Sequence, residues 1–247
     1  MRPSQKPISL QRIEYEKAAE AYLKSLPPEH FMESTPQAQQ RKITLACLDL
    51  VSVRRPDVQL FNELLVQYRI GREETLRQVV PDNMVVVHDR PIKAKGSFDV
   101  ALQPAPPFWV MEYISKSSQR KDYEDSFAKY EKELKVPYSL TFYPDEQELT
   151  LYHRNRSRYV SVKPNANGRL LIAELEIEVA ILADWARYWF RGELLPLTAE
   201  LQTAVDKWKQ RAAKAERQVE SLTDRLHQME ALLRRHGIDP DKQPQGS

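Results

Sequence analysis

The 247-residue sequence is poor in several things, and each shortage excludes a class of protein. A single cysteine, Cys47, rules out an intrachain disulfide framework and any multi-cysteine zinc site. Six glycines in all leave no Gly-rich phosphate loop, which argues against a nucleotide-triphosphate motor. No apolar run approaches the roughly 20 residues of a membrane-spanning helix, and the N-terminus lacks the apolar core of a signal peptide. The expectation is a soluble, cytoplasmic protein. Charge of one sign is missing too, with 37 basic against 35 acidic residues and a net charge of +2. After Pro196 the balance is nine against eight, so neither half carries a field that draws it to nucleic acid or membrane.

What is present is enough for a folded domain. Hydrophobic residues make up 41% of the chain and aromatics 9%, well above disordered compositions. An amphipathic stretch from Ile13 to Leu26 reads as a helix that stops at Pro27-Pro28. A second helix opens at Thr35-Pro36, with Thr35 as N-cap, buries Ile43, Cys47, Leu50 and Val51, and closes at Arg55-Pro56. The period then shortens. Leu60–Tyr68, Val79–His88 and Phe108–Ser115 read as strands, followed by a charged helix over Asp122–Leu134. Strands over Tyr138–Tyr143, Glu148–His153 and Arg158–Lys163 come next, the last two joined in a hairpin. A short strand at Leu175–Val179 and an aromatic helix over Ile181–Phe190 complete the region. This order specifies an α/β domain around a mixed β-sheet flanked by helices.

Beyond Pro196 the pattern changes. Leu201, Val205, Trp208, Ala212, Ala215, Val219, Leu222, Leu226, Met229 and Leu233 are spaced by alternating fours and threes. About five heptads in step predict a coiled coil. Val205 and Val219 at a positions and Leu201 and Leu222 at d positions favour a parallel homodimer. Arg211 and Arg225 at g then face Glu216 and Glu230 at e of a second copy. The expected division is an N-terminal helical extension (1–30), a central domain (31–196), a coiled coil (197–236) and a disordered tail (237–247).

Two carboxylates stand out because they sit on apolar strands: Asp82 in "VVPDNMVVV" and Glu112 in "PFWVMEYISKSS". Burying a carboxylate there is costly unless it is paired or bound to a cation. Converging on one point, the two suit a hard divalent metal, which activates water and offsets charge on a phosphodiester. Each alone also reads blandly, Asp82 as a turn residue after Pro81 and Glu112 as part of a half-exposed strand. Lys116, Arg120 and Lys121 cluster beside Glu112 as phosphate contacts. Arg154, Arg156, Arg158 and His153 crowd a hairpin tip that reads more readily as a solvated turn. The five histidines show no ligand spacing, Cys47 belongs to a core, and Trp185, Tyr188 and Trp189 read as packing at helical spacing.

The segments just quoted, with "RKDYEDSFAKYEKELKVPY" and "LTFYPDEQELTLYHRN", resemble the bacterial restriction-endonuclease family of the PD-(D/E)XK nuclease superfamily. The resemblance covers about residues 31–196, and the tail ending "LRRHGIDPD" is similar to that of many members. It implies a mixed sheet flanked by helices and a magnesium- or manganese-dependent DNA endonuclease, with Asp82 and Glu112 as the metal-binding carboxylates. It also implies a lysine, two residues after the glutamate or four after the helix aspartate, where this chain has Ile114 and Ser126. Lys129, one turn beyond Ser126, and Lys116, four residues after Glu112, are the substitutes. Glu133-x-Lys135 is a decoy at a helix end. The competing expectation is a nuclease fold that has lost its chemistry and acts as a binding or scaffolding protein through its coiled coil.

Overall fold

A computed structural model describes residues 7–26, 34–71, 73–114 and 120–236, with the side chains of 120–122 left out of the description. The chain divides into two compact units, Met1–Leu195 and Pro196–Ser247. Among the described residues the first unit contains α1 (Ile8–Ser25), α2 (Thr35–Arg54), α3 (Arg120–Ala128) and thirteen strands. It is a mixed α/β assembly. Its main sheet has six strands in the order β1-β4-β6-β7-β8-β9, namely Val58–Asn62, Asn83–Val87, Trp109–Tyr113, Tyr138–Tyr143, Glu148–Asn155 and Arg158–Ser161. Only β6 and β7 run parallel; the other pairs are antiparallel. A smaller sheet combines β3 (Thr75–Val79), β2 (Leu65–Ile70) and β5 (Ser97–Asp99). An antiparallel sheet combines β10 (Leu170–Ile172), β11 (Ile177–Leu182), β12 (Trp185–Phe190) and β13 (Glu193–Leu194).

Two expected strands are each broken in two, and the break matters. Leu60–Tyr68 divides at Glu63, which has φ 45° and turns the chain out of the six-stranded sheet into the three-stranded one. Val79–His88 divides at Val80-Pro81-Asp82, where the chain returns. Pro81 has no N–H to donate to a ladder, so the strand cannot run through it. The Glu63 N–H donates to the Asp82 carbonyl at 3.1 Å and ties the two corners together. β4 beyond the corner, Asn83-Met84-Val85-Val86, is wholly buried, as a strand inside a sheet must be.

The aromatic helix expected over Ile181–Phe190 is a β-hairpin instead. Leu182 pairs with Trp185 across a two-residue turn in which Ala183 and Asp184 have φ 50° and 68°. Two positive φ values in a row match the twist of a hairpin, and the spacing of Trp185, Tyr188 and Trp189 was not helical in origin. The α2 N-cap is Ser34, one residue before Thr35, and it forms a reciprocal capping box with Gln37. α1 starts earlier than Ile13 and buries Tyr15 and Ala19, while Ile13 lies exposed. The expected disordered tail, 237–247, lies outside the described residues.

α2 is the buttress of this unit. Its face of Ile43, Thr44, Cys47, Leu48 and Val51 is buried, which confirms Cys47 as core. Gln40 is fully buried and closes a ring with Ala186, its amide donating to the carbonyl and its oxygen accepting from the N–H, both at 3.0 Å. The Thr44 hydroxyl joins Tyr188 (2.9 Å) and Tyr113 (2.6 Å), and Tyr113 also donates to Asn83 Oδ1 (2.8 Å). One helix thus locks β4, β6 and β12. The second unit is a single helix, α4 (Thr198–Arg235), whose Glu200 carboxylate accepts from the Leu197 N–H at 2.7 Å.

Gln40→Ala removes the side chain that completes Ala186 and leaves buried polar backbone without its partner. The expected loss is about 3 kcal/mol of unfolding free energy, measured by urea denaturation against wild type.

Candidate metal centre

Asp82 and Glu112 reach the same place by register. Asn83 pairs with Met111 and Met84 with Val110, so continuing the β4–β6 ladder backwards sets Asp82 across from Glu112. Strand alternation supplies the rest. Trp109, Met111 and Tyr113 project to one face of β6, where Trp109 meets Tyr188 and Tyr113 meets Thr44. Val110 and Glu112 project to the other, where Val110 joins Tyr130 in the core.

Each carboxylate is held by specific donors. Asp82 Oδ2 accepts from the Tyr113 N–H at 2.6 Å, and Asp82 Oδ1 takes a guanidinium nitrogen of Arg41 at 2.9 Å. A second Arg41 nitrogen lies 2.6 Å from Glu63. Glu112 Oε1 accepts from the Tyr130 hydroxyl at 2.6 Å. Burial, and then the negative charge of Asp82, push the Glu112 carboxyl well above the ordinary value of 4.5. Weaker pulls in the other direction come from the Tyr130 hydroxyl, the Arg41 charge and the Asp82 backbone N–H. Burial and the Glu112 charge also drive the Tyr130 hydroxyl well above its ordinary range, so it stays a proton donor.

Tyr130 owes its position to an irregularity. α3 ends at Ala128 and continues as a π-helical segment, Lys129–Glu133. The Leu134 N–H donates to the Lys129 carbonyl at 2.9 Å, the wide five-residue loop of that helix type. Such a bulge re-aims side chains and is frequent at functional sites. Tyr130 turns inward to Glu112. Lys129 donates to the Gln78 carbonyl at 3.1 Å and pairs with Asp125 at 2.7 Å. Glu133 is taken by the Tyr68 hydroxyl and Arg77, so Glu133-x-Lys135 is no part of the site. Lys116 and the side chains of Arg120 and Lys121 lie outside the described residues. Ile114 is buried.

The donor set fits a hard divalent cation. Two carboxylates that repel one another are held face to face, and among the described residues no group of three or more His, Cys, Asp or Glu joins them. The protein's share of a shell would be Asp82 and Glu112, with water completing it, which suits ions that dehydrate reluctantly. Sequence reasoning found the pair but missed Arg41 and Tyr130. A single arginine on an amphipathic helix carries no signal, and neither does one tyrosine on a charged helix.

The strain on Glu112 has a measurable sign. Below 4.5 the group is neutral in folded and unfolded chains alike. As pH rises above that value the unfolded chain gives up its proton more readily than the native one, and native stability falls until the folded group ionises. Glu112→Gln removes this penalty. In urea titrations with a chelator present, its stability advantage over wild type is nil at acid pH and grows towards neutrality.

A family model described as "Uma2: Putative restriction endonuclease" matches residues 30–184. Among solved structures the chain is similar to a protein described as a "putative nuclease belonging to DUF820" from Anabaena variabilis. That likeness has 16% identity and a TM-score of 0.44, over 58% of this chain and 75% of the other. No curated protein matches. The family match spans more than half of the sequence and includes Asp82, Glu112, Tyr130 and the strands that hold them. The chain belongs to the Uma2 family of restriction-endonuclease-like proteins.

Proposed function

We propose that the protein is a metal-dependent endonuclease that hydrolyses phosphodiester bonds of DNA, with Mg2+ or Mn2+ held by Asp82 and Glu112. The observation that carries this is the carboxylate pair itself. Opposing a half-buried glutamate with an aspartate raises the energy of the free site, and a divalent cation relieves that repulsion. A cation there supplies Lewis acidity to water and phosphate. In the reaction a water oxygen bonds to phosphorus and the bond to one sugar oxygen breaks, leaving a phosphate monoester and a hydroxyl. The chain's own residues orient the pieces. Tyr130 and the Tyr113 N–H fix the carboxylate rotamers, so both ligands are set before substrate arrives. Lys129 and Lys116 are the candidates to orient the attacking water, and the neighbour of Lys129, Tyr130, already touches Glu112.

The test is nicking of supercoiled plasmid with Mg2+ or Mn2+. Asp82→Ala and Glu112→Ala each abolish cleavage while keeping a cooperative thermal transition. Lys129→Ala lowers the rate by about a hundredfold, the typical worth of a positioned catalytic group, and Lys116→Ala has the smaller effect. Wild type that binds DNA but stays inert with both metals replaces this function with that of a nuclease-fold binding protein.

The protein acts as a parallel homodimer through α4 in the same proposal. Val219, Leu222, Leu226 and Met229 form one stripe and are 58–63% exposed. Trp208 is 71% exposed. A two-stranded seam is the form of burial that their spacing suits. Light scattering at micromolar concentration gives twice the chain mass for the full sequence, and Leu222→Glu with Leu226→Glu returns it to a monomer.

A further inference from the structure

If Asp82 and Glu112 hold a cation, the site still needs a group to grip the substrate's phosphate. Ile114 and Ser126 stand where a lysine would be looked for, and Lys129 is the candidate for the attacking water rather than for the phosphate. The structure brings a different cation to the pair. Arg41 lies on Asp82 Oδ1 at 2.9 Å, with its side chain 13% exposed, and its charge also acts on Glu112. It also pairs with Glu63, at the strand corner and 55% exposed. The guanidinium therefore spans from the half-buried carboxylate to the solvent rim.

Arg41 is well placed for this because its helix cannot shift. Three residues of α2 around it are tied to β6 and β12: Gln37 to the Tyr113 carbonyl, Gln40 to Ala186, and Thr44 to Tyr113 and Tyr188. The head group reaches from that fixed helix to the Asp82 and Glu63 carboxylates. A guanidinium is planar, permanently charged and matched to two oxygens of a carboxylate or a phosphate. It cannot accept a proton from water, so its role is binding.

We propose that Arg41 is the phosphate-binding residue of this site. Its guanidinium rests on Asp82 in the free protein and exchanges that oxygen for a non-bridging phosphodiester oxygen when a divalent cation takes Asp82. The idea rests on the nuclease function proposed above and adds a residue to it. It also makes Arg41 a built-in competitor of the metal. Loading the cation and freeing the phosphate grip are then one event, since both turn on the same carboxylate oxygen.

The experiment measures two quantities other than cleavage on the full chain. Mn2+ affinity is followed by electron paramagnetic resonance without DNA. Binding of a labelled DNA duplex is followed in Ca2+ over a range of salt. Arg41→Met should tighten Mn2+ about tenfold, because a unit positive charge beside Asp82 is gone. The same variant should weaken DNA binding about tenfold, with a salt slope smaller by about one. Arg41→Lys keeps the charge and the fold; it should hold Mn2+ as wild type does and bind DNA less tightly than wild type. Unchanged or weaker Mn2+ binding in Arg41→Met, with DNA affinity intact, makes Arg41 a fixed counter-ion and overturns the proposal alone. Wild type that binds no Mn2+ overturns the nuclease function, and the phosphate role with it.

Discussion

Two carboxylates repel each other at a place where the fold gives them little water, and the neighbourhood of Asp82 and Glu112 is arranged around that fact. A cost of this kind persists only when surrounding groups over-determine the geometry. Here the Tyr113 N–H, the Tyr130 hydroxyl and the Arg41 guanidinium together hold both side chains in place. Together they do not offset the cost of ionising Glu112, whose carboxyl still stands well above its ordinary value. A site satisfied by its own chain would have no use for a cation. This one keeps a deficit, and the deficit is what a divalent ion would fill.

The deficit is affordable because the supports are shared with the core. Asn83 follows Asp82 and Tyr113 follows Glu112, and both turn to the opposite face of the sheet, where Tyr113 bridges Asn83 and Thr44. Each carboxylate is therefore anchored by its sequence neighbour through α2. On the carboxylate side the π-helical segment delivers Tyr130 to Glu112. With a net charge of +2 the chain as a whole offers no field, so any attraction for a phosphate backbone would be local.

Much of the local structure was legible in the residues. Alternation and β-branched content located the sheet strands, proline at the start and end bounded α2, and the heptads marked α4. Carboxylates on apolar strands singled out Asp82 and Glu112. The failures share one cause. Ile181–Phe190 has apolar residues at spacings that suit a helix or a fully buried strand, and only the partner strand β11 and the α2 face decide between them. The single expected strand over Leu60–Tyr68 crosses a corner that no turn motif announces, because Glu63 adopts a left-handed conformation without being glycine or asparagine.

Sequence by itself determined most of the elements, the apolar stripe of α4 and the two carboxylates, because periodicity and the cost of burying charge are written in residue types. Tertiary structure alone decided which groups meet those carboxylates. Arg41 lies forty-one residues before Asp82, and Tyr130 eighteen after Glu112. They come together through helix packing, strand register and one widened helical turn. Contacts at such separations are set by the whole packed core, and no local pattern encodes them.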